Sequence, residues 1–206
     1  MARESVAGLV LAGGGSRRMG GRDKAFLVVA GQPLVARAVA RLAPQVAAVA
    51  ISSNRPKDAF AFLGLPVLAD EGERRIGPLA GLFAGLAWAR DLGFAHVQTV
   101  AVDTPGFPTD LVARMAAAAG GAGLAVARSG DRVHPVFALV PVRLAADLEA
   151  HLRSGGSLRV ADWLDRHDPV LVDFETTRDR DPFFNINTPA DLAAQSGGAG
   201  AASGEG

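Results

Sequence analysis

The sequence predicts a three-layer α/β fold, in which a mainly parallel sheet carries helices on both faces. Strand-like and helix-like segments alternate from Val6 to about Arg128, the order that is typical of parallel α/β sheets. The strand-like segments are short, continuous apolar runs such as Val6–Leu11, a pattern that indicates burial on both faces of a parallel sheet.

Within the alternating part, each predicted element follows from spacing and from Pro or Gly at its start. The predicted strands are Val6–Leu11, Val46–Ser52, Pro66–Ala69, Val97–Val102 and Leu124–Arg128. After a turn at Gly31–Pro33, apolar residues recur at helical spacing from Leu34 to Leu42. The other predicted helical segments are a short helix or turn over Phe60–Leu63, a helix from Gly77 to Trp88 or Ala89, and Pro108–Ala119.

The alternation stops near Val133. His134–Leu139 is predicted to be a strand antiparallel to the others, and the remaining segments are less regular. They are helices over Leu144–Leu152 and Ser157–Leu164, strands over Val170–Phe174 and Phe183–Asn187, and a last helix starting at Thr188–Pro189. We expect one domain over residues 1–194 and a flexible tail rich in Gly, Ala and Ser over 195–206.

Composition narrows the classes of function. The 206 residues include 49% hydrophobic ones, enough for a sizeable core, and 21 basic residues balance 21 acidic ones. A neutral chain argues against a nucleic-acid partner, since duplex-binding proteins are usually basic. There is no cysteine for disulfides or thiolate metal sites, and no apolar run approaches the roughly 20 residues of a membrane helix. We therefore expect a cytoplasmic protein without a membrane partner.

The stretch Leu11–Lys24 carries the strongest functional signal. Gly13, Gly14 and Gly15 follow the first strand, and glycines let backbone N–H groups approach an anion or a flat base closely. Four cations then follow within eight residues, with only Asp23 opposing them; they are Arg17, Arg18, Arg22 and Lys24. This combination suits a diphosphate or triphosphate group.

Two familiar glycine motifs are excluded here. A P-loop requires Gly-Lys-Ser/Thr, but Lys24 follows Asp23 and precedes Ala25. The dinucleotide fingerprint starting at Gly13 would require glycine where Arg18 stands. The structural alternative is a strand-to-helix connection with solvated arginines.

Polar side chains also follow three later strands, where ligands of parallel α/β sheets bind. Asn54 offers an amide for a base edge or a sugar hydroxyl, and Asp70 offers a carboxylate for a guanine edge or a ribose. Asp103 ends a buried strand beside the glycine loop, a suitable place for a carboxylate ligand of Mg²⁺. The structural alternatives are an ordinary turn Asn, an exposed loop acid, and an Asp that caps the turn before the next helix.

The remaining candidates are cations, a histidine and amides. Lys24 is a mobile charge for a phosphate oxygen, and Arg18 can bind phosphate in bidentate fashion. A phosphate acceptor needs no general base, so His134 is interpreted as a ligand of a second substrate or as a structural histidine. Asn185 and Asn187 would share a strand face beside the metal or acceptor, or else bond within the following turn.

The order L-A-G-G-x-S-x-R-M-G-x-x-D-K resembles the signature of the sugar-nucleotide-type nucleotidyltransferases. From about Val6 to Leu192 the chain resembles the molybdenum cofactor guanylyltransferases, through the further motifs I-S-S-N-R, G-P-L-A-G-L, V-D-T-P, H-P-V-F-A-L and N-I-N-T-P-A-D-L. The resemblance implies a Rossmann-like sheet of the nucleotide-diphospho-sugar transferase type. It also implies Mg²⁺-dependent transfer of GMP from GTP to molybdenum-bearing molybdopterin, with release of pyrophosphate.

Carried over by motif, the resemblance assigns roles to single residues. Backbone groups at the end of the first strand would contact the guanine, namely those of Leu11, Ala12 and Gly13, and Gly14 is a further predicted nucleotide-binding residue. Lys24 and Arg18 would bind phosphate and stabilise the transition state, and Asp103 would hold Mg²⁺. Asn54 and Asp70 would complete the nucleotide pocket, and Asn185 and Asn187 would lie near metal or acceptor.

Three alternatives stay open at this point. The chain could be a sister enzyme that uses CTP, or a nucleotidyltransferase with another phosphorylated acceptor. It could also be a nucleotide-binding module without catalysis, although the joint presence of Lys24 and Asp103 argues against that class. Molybdoenzymes or their chaperones are possible recipients of the product.

Overall fold

A computed structural model describes residues 5–13, 23–69, 77–120, 123–176, 181–186 and 191 of the chain. The predicted sites Gly14, Arg18, Asp70 and Asn187, the predicted last helix apart from residue 191, and the tail over 195–206 lie outside the described residues.

Within the described residues, seven strands form one sheet in the order β5-β4-β1-β6-β8-β7-β9. They are β1 (Val6–Leu11), β4 (Ala48–Ser52), β5 (Val67–Leu68), β6 (His96–Ala101), β7 (Ala125–Ser129), β8 (Arg132–Pro141) and β9 (Val170–Phe174). Among these strands, β8 alone runs antiparallel to its neighbours, β6 and β7. A separate two-stranded hairpin pairs β2 (Val28–Val29) with β3 (Gln32–Pro33).

Helices cover both faces of the sheet, because its central strands are apolar on both sides. Every residue of β1 and β6 is buried. The helices are α1 (Leu34–Leu42), α2 (Pro78–Asp91), α3 (Leu111–Ala119), α4 (Ala145–Arg153) and α5 (Val160–Leu164). One core cluster lies under α1 and α3, and a second lies under α2, α4 and α5. The predicted three-layer, mainly parallel fold is confirmed. Among the described helices, none is both long and apolar enough to cross a membrane.

Several predicted elements differ from the structure. The segment Phe183–Asn187 is not a strand over its described part, 183–186, because the Asp181 carboxylate accepts the Phe183 N–H and folds the chain into a turn. Only Val160–Leu164 of the predicted helix from Ser157 is helical, since the Ser157 hydroxyl accepts the Arg159 N–H in a local turn. The predicted turn at Gly31–Pro33 is shorter, because Gln32 and Pro33 pair with β2.

The predicted helix from Pro108 also begins later, at Leu111. The Pro108 carbonyl accepts the Leu111 N–H in a preceding turn and also the Gln45 side-chain amide. The Gln45 side-chain oxygen in turn accepts the Val112 N–H at the start of α3. A side chain from another segment therefore caps this helix and sets where it starts.

The antiparallel strand β8 is irregular where it passes the end of β6. Ala127 pairs with His134 while the adjacent Val126 pairs with Ala138, so three residues of β8 bulge out of the ladder. The hydroxyl of Thr99 bridges this place, since it accepts the Ala138 N–H (3.1 Å) and donates to the Ala138 carbonyl (3.2 Å). Beside the bulge, the Thr99 hydroxyl thus takes the place of a backbone partner for both the N–H and the carbonyl of Ala138.

We expect Thr99→Val to lower the free energy of unfolding by about 1–3 kcal/mol, because it leaves the buried Ala138 N–H without its partner. Chemical denaturation of the variant measures this loss. Thr109→Val, at an exposed position, is the control and should stay within about 0.5 kcal/mol of the parent. Equal stability of the two variants would contradict the role given to Thr99.

Candidate active site

A cleft of about 290 Å³ opens at the carboxyl ends of β1 and β6, where they face the bulge of β8. The end of β1 and the two described ends of the following loop line it with Leu11, Ala12, Gly13, Asp23 and Lys24. The turn after β6 adds Val102 and Asp103. The wall formed by β8 runs from Arg132 to Phe137, and Asn185 completes the cleft. This is the edge of the sheet where parallel α/β folds bind ligands.

An ion pair between Lys24 and Asp103 lines the cleft. The Lys24 ammonium is 2.8 Å from Oδ2 of Asp103, and the two side chains are 25% and 18% exposed. The residues are 79 positions apart in the chain and meet because β1 and β6 are parallel neighbours with adjacent carboxyl ends. The structure therefore brings together the two residues that the sequence analysis assigned to phosphate and metal.

Asp23 caps the turn that begins with Lys24 and also pairs with Arg55. Its carboxylate caps the short 3₁₀ turn Lys24–Phe26 by accepting the Ala25 N–H at 3.0 Å. The other oxygen of Asp23 pairs with Nε of Arg55 at 2.8 Å. Arg55 was not among the predicted site residues, and it ties the loop before Lys24 to the end of β4.

Two backbone groups at the end of β1 already form hydrogen bonds to neighbouring segments of the sheet. The Ala12 N–H donates to the Ser52 carbonyl, and the Leu11 carbonyl accepts the Val102 N–H. Gly13, by contrast, is exposed, and no described atom lies within 4 Å of the place where its Cβ would stand. A flat ligand can approach the backbone most closely at Gly13.

Asn185 is held beside Asp103 by two long-range hydrogen bonds. Its side-chain oxygen accepts the hydroxyl proton of buried Thr104 at 2.6 Å. The next residue, Ile186, donates its N–H to the Asp103 carbonyl at 2.8 Å. The segment 181–186 is therefore fastened across the end of β6, and this contact, not a strand, places Asn185 in the cleft.

On the opposite wall, His134 lies inside a polar chain that the sequence analysis missed. Its Nε2 is 2.6 Å from Oγ of Ser129, which is 3.1 Å from a carboxylate oxygen of Asp181. The hairpin signal Ser-Gly-Asp at residues 129–131 indicates that Ser129 and His134 are diagonal neighbours on one face. No local signal indicates Asp181, which joins from 52 residues away.

Among the predicted site residues within the described part of the chain, Asn54 alone does not line the cleft. It follows β4 as predicted, but it is exposed and is not part of the cleft lining. Its predicted role in the nucleotide pocket stays a prediction, as do the roles of Gly14, Arg18, Asp70 and Asn187, which lie outside the described residues.

Comparisons with known proteins identify the family of this chain. A family described as MobA-like NTP transferase domain matches residues 8–170, most of the chain. The chain belongs to this family. It is 47% identical to the molybdenum cofactor guanylyltransferase of Rhizobium leguminosarum bv. trifolii over 197 residues, which cover 93% of this chain and 91% of the relative. The resemblance drawn from the motifs is confirmed, and so is the assignment as a nucleotidyltransferase enzyme.

Solved structures of low identity share the fold. Molybdopterin-guanine dinucleotide biosynthesis protein A from Archaeoglobus fulgidus superposes with a TM-score of 0.70 at 22% identity, covering 94% of this chain and 98% of that one. Rv0371c of Mycobacterium tuberculosis in complex with manganese superposes with a TM-score of 0.71 at 15% identity, with coverages of 94% and 98%. Both structures support the architecture of the sheet.

Proposed function

We propose that this MobA-like transferase moves GMP from GTP to molybdenum-bearing molybdopterin and releases pyrophosphate. The observation that carries the proposal is the 47% identity, over nearly the whole chain, to a curated molybdenum cofactor guanylyltransferase. The Lys24–Asp103 pair in the cleft supports it, because nucleotidyl transfer needs a cation for phosphate and a carboxylate for a divalent metal at one place.

Mg²⁺ is the proposed metal, and the donor set fits it. Among the described residues, no group of three or more His, Asp or Glu side chains could hold a metal by itself. Asp103 nevertheless offers a hard carboxylate oxygen in the cleft, and Mg²⁺ is commonly held by one or two carboxylates together with substrate phosphates. Bound there, the ion would supply positive charge for the phosphates during transfer.

The residues of the chain would act mainly by placement and charge. Lys24 would leave the Asp103 carboxylate and bind a phosphate oxygen of GTP. The same ammonium would thus pair with Asp103 before GTP binds and with phosphate afterwards. Arg18 is proposed to add a second cation. The terminal phosphate of molybdopterin would attack the α-phosphorus in line, and Lys24 would stabilise the charge of the transition state and the pyrophosphate.

Asn185, held by Thr104, would orient metal or acceptor beside Asp103. Asn187 is proposed to assist it. The backbone from Leu11 to Gly14 would contact the guanine, and Asn54 and Asp70 would complete the pocket. The proposed location is the cytoplasm, and molybdoenzymes or their chaperones are the proposed recipients of the product.

The first test is calorimetric titration of the protein with GTP, CTP, ATP and UTP in the presence of Mg²⁺. We expect GTP to bind at least about tenfold more tightly than the others, which corresponds to about 1.4 kcal/mol. Pyrophosphate release with molybdenum-bearing molybdopterin then tests the transfer itself. Preference for CTP would replace the proposal by the cytidylyl reaction, and absence of nucleotide binding would refute both.

A further inference from the structure

His134 is part of a polar chain that determines which ring nitrogen carries the proton. The Ser129 hydroxyl has one proton, and the Asp181 carboxylate, 3.1 Å away, can only accept it. The Ser129 oxygen therefore accepts at its short contact with the imidazole, so Nε2 of His134 is the donor across 2.6 Å. In the neutral ring Nδ1 then carries a lone pair and no proton.

The surroundings favour the neutral ring. His134 is buried, and this burial is the main cause that lowers its pKa below the ordinary value; Arg132 lowers it further, while Asp181 acts in the opposite direction. Neutral imidazole with a protonated Nε2 presents one acceptor, Nδ1, to any other group. It cannot donate to a phosphate oxygen.

Aromatic packing holds the ring in place. The Phe183 ring lies 4.5 Å from the imidazole, centroid to centroid, and the Phe137 ring meets it edge-on at 6.4 Å. Phe183 also donates its N–H to the carboxylate of Asp181, so one short segment fixes both the ring and the polar chain. Because this segment is also bonded to the Asp103 carbonyl, His134 is tied to the corner that holds the ion pair.

We propose that His134 binds the second substrate by accepting a hydrogen bond at Nδ1 from an N–H or O–H donor, and that Ser129 and Asp181 are positioning residues for this tautomer. This rests on the proposed function, because the second substrate is then the acceptor of GMP. The wall of the cleft opposite Lys24 would recognise the part of the acceptor that bears donors, such as the N–H groups of a pterin, and not its phosphate.

Two near-isosteric variants separate the ring nitrogens. His134→Gln places its amide near the position of Nε2 and keeps a donor for Ser129, whereas His134→Asn places its amide near Nδ1 and keeps an acceptor for the substrate. With GTP saturating, we expect His134→Gln to raise KM for molybdenum-bearing molybdopterin about five- to tenfold, the effect of one lost hydrogen bond. His134→Asn should stay within about threefold of the parent. GTP affinity by calorimetry should be unchanged in both.

Ser129→Ala is a further variant, because it keeps the His134 imidazole but removes the hydroxyl that fixes its tautomer. It should raise the acceptor KM in the same direction as His134→Gln. Asp131→Ala is the control, since Asp131 is an exposed carboxylate of the same hairpin that does not line the cleft. It should leave KM unchanged.

Several outcomes would overturn the proposal. They are a parental KM in His134→Gln, equal losses in His134→Gln and His134→Asn, and a parallel loss of GTP affinity. An effect of Asp131→Ala as large as that of Ser129→Ala would also overturn it. Absence of turnover in the parent protein, with GTP still bound, would instead refute the proposed acceptor. The two failures are thus distinguishable.

Discussion

Replacing Asp103 with asparagine is expected to lower kcat by roughly 10³-fold, the upper range for loss of one group that stabilises charge in a transition state. The amide keeps the size of the side chain but loses the charge that a divalent metal requires. The backbone carbonyl of Asp103, which accepts the Ile186 N–H, is not changed by the substitution. The loss should therefore concern chemistry and not the architecture of the cleft.

Pyrophosphate release measured over a range of Mg²⁺ concentrations tests this expectation. The loss at saturating GTP should persist at high Mg²⁺, and the melting temperature should stay within a few degrees of the parent, because a partly exposed ion pair contributes only about 0–1 kcal/mol. Asp131→Asn, an equally conservative change at an exposed carboxylate, is the control. Near-parental turnover in Asp103→Asn would remove Asp103 from the metal site.

Lys24→Met should lower kcat by roughly 10²-fold and also weaken GTP binding, because the ammonium is proposed to meet phosphate both in the ground state and in the transition state. Methionine keeps most of the side-chain length without the charge. The chain offers a matched control, since Lys57 is its other lysine and is exposed at the start of the 3₁₀ helix Lys57–Leu63.

Steady-state kinetics and GTP calorimetry on Lys24→Met and Lys57→Met measure both effects. The double variant Lys24→Met/Asp103→Asn adds a stricter test. Because the two side chains are 2.8 Å apart, their effects on kcat should not add. Strict additivity, or equal losses in the two lysine variants, would contradict a shared site.

The local pattern of the sequence determined most of the architecture. Continuous apolar runs of the length of one strand identified β1, β4 and β6, because strands buried on both faces of a parallel sheet are apolar along their whole length. The predicted end of the strand that became β6 also placed Asp103 at the carboxyl edge of the sheet. The loop after β1, which contains Lys24, starts from the same edge. Boundaries were less accurate, as at α3, where capping by Gln45 from a distant segment decides the start.

The sequence by itself determined the family and the mainly parallel sheet, and it predicted Lys24 and Asp103 as residues of one site, since these inferences rest on residues close in the chain or on the common edge of parallel strands. Only the tertiary structure decided how the cleft is completed. Thr104 orients Asn185 across 81 residues, and Asp181 reaches Ser129 across 52. Such hydrogen bonds leave no period or motif in the sequence, because they form only where the folded sheet brings a distant turn to the end of a strand.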